Sequence, residues 1–392
     1  MMNEITSLVE KHEQWRGRES INLIPSENVM SPAVRALLST ELGHRYTSPD
    51  GFYMGTRFID EIEQYGVELA KDVFKSDTAD LRPLSGHVAD LTFLACFANP
   101  NDKVACVSPA NGGYPGISKR GISNFLKLKV LSFPFSKTEM NIEAGEAGDL
   151  ILQEKPRVIV FGASLFLFPH PVRELARVAG EVGAHVGYDG SHVLGLIAGR
   201  EFQDPLHEGA STLFGSTHKS FFGPQGGVIL ADREHGEVIR QRIHPAFVDN
   251  AHWNRITALS LALAEMKKFG RAYARQVIQN AQVLANALAE AGFPVACPNL
   301  GYTRSHQVFL DFGGYKKGKT VAKKLERANI IVDSGVRLGV CEATRKGMRK
   351  EEMLRIADFI EKVHFKGERP SEVKRGVIKF MKGFQEIHYC FK

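Results

Sequence analysis

Cysteine is scarce in this chain. Its five cysteines, Cys96, Cys106, Cys297, Cys341 and Cys390, are odd in number, widely scattered and without metal-ligand spacing. That argues against a disulfide scaffold and a thiolate metal centre, and fits the reduced thiols of a cytoplasmic protein. Long apolar runs are also missing. The N-terminal stretch MMNEITSLVEKHEQW is polar and has no apolar signal core, and no segment is long enough to span a membrane. The expectation is a cytoplasmic protein with no membrane partner. Charge of one sign is barely in excess, at +6 over 392 residues. The densest basic stretches are residues 314–319 and the C-terminal tail. They read as solvated surface, which argues against a nucleic-acid partner. Repeats and low-complexity segments do not stand out. His170, His192 and His218 lack a helical i, i+4 pair and an acidic or thiol cluster, so no metal is expected. No nucleophile-elbow pattern precedes a serine, which removes the Ser-His-Asp triad.

What is present is an ordinary globular composition, 43% hydrophobic and 24% charged, with length for a large core and two domains. Residues 4–16 read as an amphipathic helix, followed by an extended arm through Ile21-Asn-Leu-Ile24. Helices are expected over 31–42, with Ser31 as N-cap and Pro32 at the first helical position, and over 58–75. From about residue 80 the pattern alternates. Helical runs near 86–98, 115–124 and 171–182 separate the short apolar strands 103–107, 158–161, 185–188 and 227–230. Such alternation predicts an α/β fold with a mainly parallel sheet and helices on both faces. Residues 256–291 read as one long connecting helix. Beyond it, strands near 306–311 and 330–332 with helices near 319–328 and 351–364 read as a smaller C-terminal α+β domain, closed by a packed helix in the basic tail. The expected divisions are an arm over 1–20, a large domain over 21–255, the connecting helix over 256–291 and a small domain over 292–392.

The chemistry gathers on two segments. Gly215-Ser-Thr-His-Lys-Ser-Phe-Phe-Gly-Pro-Gln-Gly-Gly227 sets Lys219 among small and hydroxyl residues ahead of a glycine-rich turn. One structural unit upstream, an apolar strand runs into Asp189, with His192 three residues on. A lysine that can form a Schiff base, and a carboxylate that keeps a pyridine nitrogen protonated, are what pyridoxal phosphate requires. Ser85, Gly86 and His87 lie where a loop enters a helix, a natural phosphate cradle, and Ser216 and Thr217 can add hydroxyls. Tyr114, after Asn111-Gly-Gly, can stack on a planar ring or simply pack in the core. Ser164, Asp189 and His192 each follow a strand, where ligands of parallel sheets bind. Arg337, in Gly335-Val-Arg-Leu-Gly339, suits a substrate carboxylate.

Taken in order, these motifs resemble serine hydroxymethyltransferase over nearly the whole chain. The resemblance rests on Ile21-Asn-Leu-Ile-Pro-Ser-Glu-Asn28, Arg45-Tyr46, Phe52-Tyr53, Ser85-Gly86, Asn111-Gly-Gly-Tyr114, Ser164, Asp189 with His192, Thr217-His-Lys219, Gly335-Val-Arg-Leu-Gly339 and Thr344-Arg-Lys-Gly347. It implies the fold-type I pyridoxal phosphate architecture, like aspartate aminotransferase, with a seven-stranded sheet. It implies a Schiff base at Lys219, Asp189 on the pyridine nitrogen, His192 near the phenolate oxygen and His218 beside the Schiff base. Ser26, Tyr46, Tyr53 and Arg337 would contact substrate, Tyr46 and Tyr53 assisting proton transfer or carboxylate binding. The counterpart of Tyr53 comes from a second subunit, so a homodimer with shared active sites is implied.

Four positions depart from that pattern. Tyr114 stands at the cofactor-stacking histidine, and His87 at a phosphate-binding serine. The glycine-rich phosphate turn that the partner subunit supplies becomes Pro245-Ala-Phe-Val-Asp-Asn-Ala-His252, with Asn250 or His252 as replacement contacts and Asp249 facing the phosphate unless it turns away. Ser48 replaces a glutamate that handles the substrate hydroxyl and the folate chemistry, and a serine is no acid or base near pH 7. The long loop that cradles the pterin is missing, since residues 328–335 run straight into the arginine motif. The expected activity is therefore folate-independent cleavage or formation of the Cα–Cβ bond of a small β-hydroxy α-amino acid such as serine or threonine. His192, His218, His87 or a substrate group would act as base. The alternatives are tetrahydrofolate-dependent serine/glycine hydroxymethyl transfer, and other pyridoxal phosphate chemistry such as transamination, racemisation or decarboxylation.

Overall fold

A computed structural model describes every residue but Met1 and Pro49. The chain divides into two compact units, one of Met30–Ala274 with Cys390–Lys392, the other of Met1–Val29 with Arg275–Tyr389. The division falls inside a single 38-residue helix, Trp253–Glu290.

The larger unit is built on a seven-stranded sheet. Its strands are β1 (Thr78–Asp80), β2 (Lys103–Cys106), β3 (Lys129–Ser132), β4 (Val158–Phe161), β5 (His185–Asp189), β6 (Thr212–Ser216) and β7 (Gly227–Ala231). They lie in the order β1-β7-β6-β5-β4-β2-β3. Only β7 is antiparallel to its neighbours β1 and β6; β2 to β6 pair in parallel. The continuous apolar run Val158-Ile-Val-Phe161 is buried at every position, as both-face coverage requires. The helix Gly86–Phe97 packs on β5, β6 and β7, and the helix Val172–Glu181 on β5.

Two further expectations meet the structure differently. Residues 115–124 form tight turns with only a short helix at Ile122–Phe125. A Cβ at Gly121 would overlap the backbone of Gly116, and one at Gly116 would overlap the ring of Tyr114, so two glycines fold this stretch back on itself. The amphipathic N-terminal helix ends at His12 and continues as a π-helix over Glu13–Arg18.

In the smaller unit, Ile21–Asn22 pairs in parallel with Ile330–Ile331, and Gln307–Phe309 pairs antiparallel with Arg337–Gly339. The helices Tyr315–Arg327, Lys350–His364 and Pro370–Met381 pack on one another. All five cysteines are free, and among the described residues no helix is long and apolar enough to cross a membrane.

Candidate active site

Four neighbouring strands end on the same side of the sheet, and each is followed by a residue singled out in the sequence. The loop after β2 carries Tyr114, the loop after β4 carries Ser164, β5 ends in Asp189 with His192 behind it, and β6 runs into Thr217-His218-Lys219. Parallel pairing puts all four loops at one edge, the place where open α/β sheets bind ligands.

Backbone contacts tie the loops together. The amides of Ser164 and Leu165 both donate to the carbonyl of Gly112, at 2.8 and 3.0 Å. Gly112 has φ +87°, and a Cβ there would meet Leu165 Cβ at 2.8 Å, so only glycine permits the approach. After β5, the amide of Ser191 donates to Asp189 Oδ1 over 2.9 Å, and Ser191 Oγ accepts the amide of Ser216 over 2.9 Å. Asp189, Ser191 and His192 are buried. One carboxylate oxygen of Asp189 is thereby fixed by the backbone.

A helix start forms the cradle beside this floor. Ser85 is the N-cap of Gly86–Phe97, its Oγ accepting the amide of Val88 over 3.1 Å. A Cβ on Gly86 would collide with the hydroxyl of Ser216 and approach its amide to 2.8 Å and Ser191 Oγ to 3.2 Å. The first turn, with its unsatisfied N–H groups and positive dipole end, is thus pressed against the ends of β5 and β6. Thr217 donates its hydroxyl to the carbonyl of Pro224 over 2.7 Å, which commits that proton to the turn and leaves Ser216 as the hydroxyl of the pair.

Around this floor sit titratable groups. His218 has a buried Nδ1 without a hydrogen-bond partner, and burial together with the charge of Lys219 lowers its pKa to about 4. The imidazole is neutral near pH 7 and cannot serve there as an acid. The Tyr114 hydroxyl lies 3.0 Å from His87 Nδ1, and burial first, then Asp90 and Asp189, raises the phenol to about 12, so it stays protonated. Asp90, buried in the helix Gly86–Phe97, was not among the residues marked in the sequence, and neither was Ser191. The signal for Asp90 is a lone carboxylate four residues after Gly86 in an otherwise apolar stretch.

Before the helix Arg57–Phe74, aromatic side chains are open to solvent. Tyr46 and Tyr53 are exposed, with ring centroids 5.6 Å apart, and Phe52 meets Tyr53 edge-on. Ser48 Oγ donates to Asp50 Oδ1, which closes a turn, and the same two side chains accept the amide of Phe52. These bonds hold the Asp50 carboxyl below the usual range. Asp249 points outward, with His244 Nε2 3.9 Å away, and Asn250 Oδ1 is buried without a partner.

In the smaller unit, the amide of Gly339 donates to the carbonyl of Leu23 over 2.7 Å, and a Cβ at Gly339 would overlap Pro25. The strand bearing Arg337 therefore lies against the turn that bears Ser26. Arg337 Nε donates to Asp333 Oδ2 over 2.8 Å. Asp333 Oδ1 accepts the amides of Gly335 and Arg337, so residues 333–337 form one closed turn.

Pyridoxal phosphate fits the floor described in the larger unit. Asp189 offers a buried carboxyl fixed by the backbone, suited to a ring nitrogen, the start of the helix Gly86–Phe97 offers a cradle that a side chain would fill, and Lys219 follows the end of the neighbouring strand β6. The sequence profile of the serine hydroxymethyltransferase family matches residues 1–360. The chain belongs to the serine hydroxymethyltransferase family. Among its relatives, the serine hydroxymethyltransferase of Methanocaldococcus jannaschii is 44% identical, over 97% of this chain and 94% of that protein. That of Pyrococcus furiosus is 42% identical, over 99% and 96%. A crystal structure of L-threonine transaldolase from Pseudomonas fluorescens superposes with a TM-score of 0.93 at 25% identity, covering 99% of this chain and 93% of the other. Membership makes the chain a fold-type I, pyridoxal phosphate-dependent transferase or lyase acting on an amino acid. No group of three or more His, Cys, Asp or Glu side chains suited to a metal occurs among the described residues.

Proposed function

We propose that this member of the family breaks or forms the Cα–Cβ bond of a small β-hydroxy α-amino acid without tetrahydrofolate. The observation that carries the reading is Ser48, which stands where the family has a glutamate and whose hydroxyl is turned onto Asp50. Asp50 does not replace the lost base, because its hydrogen bonds hold it ionised and weakly basic. The short closed turn over residues 333–337 adds support, since by the family resemblance a long loop that cradles a pterin would be expected at this point of the chain.

Pyridoxal phosphate, when bound, supplies a ring that takes up the charge left on Cα as the bond breaks. Lys219 would be its point of covalent attachment. Asp189 would hold a proton at the ring nitrogen, and His192, behind β5, would help orient the cofactor. Ser85, Gly86, His87 and Ser216 would hold the phosphate, with the Thr217 backbone and Asn250 as further contacts. Tyr114 would serve as the neutral stacking partner. Ser26 and Arg337 take the substrate carboxylate. His218, neutral near pH 7, can accept a proton and cannot start as the acid. Tyr46 would assist at the substrate, and Tyr53 would reach the site from a second copy, which the exposed run Phe52, Tyr53, Met54 and Phe58 supports.

The second reading is hydroxymethyl transfer with tetrahydrofolate, favoured by the relatives' shared name. One experiment separates the two. The purified protein, loaded with pyridoxal phosphate, is given L-threonine or L-serine, each with and without tetrahydrofolate, and glycine and the released aldehyde are measured. Glycine release at equal rates with and without tetrahydrofolate is expected. Turnover only with tetrahydrofolate, and only on serine, overturns the proposal in favour of the second reading.

A further inference from the structure

The helix Gly86–Phe97 reads Gly-His-Val-Ala-Asp-Leu-Thr-Phe-Leu-Ala-Cys-Phe, and its one acidic residue is buried. Asp90 is 1% exposed, and its Oδ1 has no hydrogen-bond partner. A buried carboxyl without a partner is costly, by several kcal/mol if charged and unpaired. Such a group in a native fold calls for a reason.

Helical geometry says where it faces. Residues four and three apart share a face, so Gly86, Asp90 and Phe93 form one row. Gly86 touches Ser191 and Ser216 beyond the ends of β5 and β6. At the other end of the row, Phe93 stacks on Phe214 of β6 with centroids 4.9 Å apart, and lies where a Cβ on Gly187 of β5 would be. Asp90 sits between these anchors. On β5 the residue two beyond Gly187, on the same face of the sheet, is Asp189. The register pairs Asp189 with Phe214. The row thus lays Asp90 over Asp189, in the layer between helix and sheet.

We propose that Asp90 and Asp189 work as a proton-sharing carboxyl pair behind the cofactor ring, Asp189 meeting the ring nitrogen and Asp90 positioning Asp189 from the helix side. The inference rests on the reading of Lys219 and Asp189 as the cofactor floor. Two carboxyls in one dry layer do not both ionise. Burial first, then the charge of Asp189, pushes Asp90 well above the usual carboxyl range, and Lys219 pulls the other way. Asp90 is then the protonated member of the pair, an O–H donor toward Asp189. The backbone already holds Asp189 Oδ1 through Ser191, so a donor on the helix side fixes the carboxylate's plane from a second direction. The groups that bear on the pair are Lys219 after β6 and Tyr114 after β2. Asp90 is a positioning residue, since it acts through Asp189.

The test measures the dissociation constant of pyridoxal phosphate from the full-length protein by equilibrium dialysis, for the parent, Asp90→Asn and Asp90→Leu, with far-UV circular dichroism confirming that each is folded. Asp90→Asn keeps a neutral donor of the same size, and its affinity is expected within about threefold of the parent. Asp90→Leu keeps the volume and loses the donor, and is expected to bind about tenfold more weakly or worse. Equal affinity for Asp90→Leu and the parent overturns the proposal. So does Asp90→Asn binding as weakly as Asp90→Leu, which would make the charge on Asp90 the feature that matters. If Asp90→Leu does not fold, Asp90→Ala carries the same expectation. Lys219→Ala is run beside them: a parent whose visible absorbance band does not depend on Lys219 sinks the reading of the floor itself, and a parent that passes leaves only the role of Asp90 at stake.

Discussion

The larger unit holds two regions that differ in almost every physical respect. The floor, made of the ends of β2, β4, β5 and β6 with the first turn of the helix Gly86–Phe97, is buried and held by backbone hydrogen bonds. The rim, carrying Tyr46, Phe52, Tyr53 and Met54, exposes its aromatic side chains and is tied by local bonds such as Ser48 to Asp50. The floor's approaches are so close that glycine is required at Gly86 and Gly112. The rim's aromatic side chains meet one another and solvent. The difference teaches that close backbone packing sets the geometry of the floor, whereas the rim's aromatic side chains carry no such constraint. Departures from the family pattern fall in both regions, at His87 and Tyr114 of the floor and at Ser48 of the rim, while Lys219 and Asp189 keep their types.

The largest expected effect comes from breaking floor and rim in different chains. Lys219→Ala and Tyr53→Ala are each expected to lose most threonine cleavage, Lys219→Ala by about a thousandfold or more. If the site is shared, mixing the two variants at equal amounts after reversible dissociation returns about a quarter of the parent rate, because half of the dimers then carry one intact site. A mixture no more active than its parts removes the shared rim.

A smaller effect separates the two regions by pH. His170, behind β4, is fully buried and accepts the amide of Gly162 at Nδ1 over 3.3 Å, and burial lowers its pKa to about 3. Its folded pKa is below the unfolded value near 6.5, so the unfolded chain takes up the proton first. The stability tied to neutral His170 is present above about pH 6.5 and is lost as pH falls toward 3, by on the order of a few kcal/mol in total. Thermal melts from pH 7 to pH 4 should show a falling midpoint for the parent and a shallower fall for His170→Gln. Equal slopes would contradict this.

Much of the fold is legible in the sequence because buried parallel strands are continuous apolar runs. β4 and β7 stand out for that reason. β3 does not, since Lys129 and Ser132 are exposed ends of an edge strand. β6, Thr212–Ser216, is hidden by its glycine and hydroxyl residues, although every position is buried. The turns at 115–124 mimic a helix because helical propensity ignores the glycine contacts that fold them back. In the site, Lys219 and Asp189 are readable because the chemistry needs both types one structural unit apart. Asp90 is not, because a single carboxylate in a helix is usually solvated, and only the row from Gly86 to Phe93 places it in the interior. Ser191 is unreadable for a similar reason, since its work is to accept the amide of Ser216.

The most direct measurement is reductive trapping. The protein loaded with pyridoxal phosphate is treated with borohydride, digested and examined by peptide mass spectrometry. One reduced phosphopyridoxyl group is expected on the peptide carrying Lys219, with none in Lys219→Ala. A label on another lysine, or equal labelling of parent and variant, would contradict a floor built around Lys219 and Asp189.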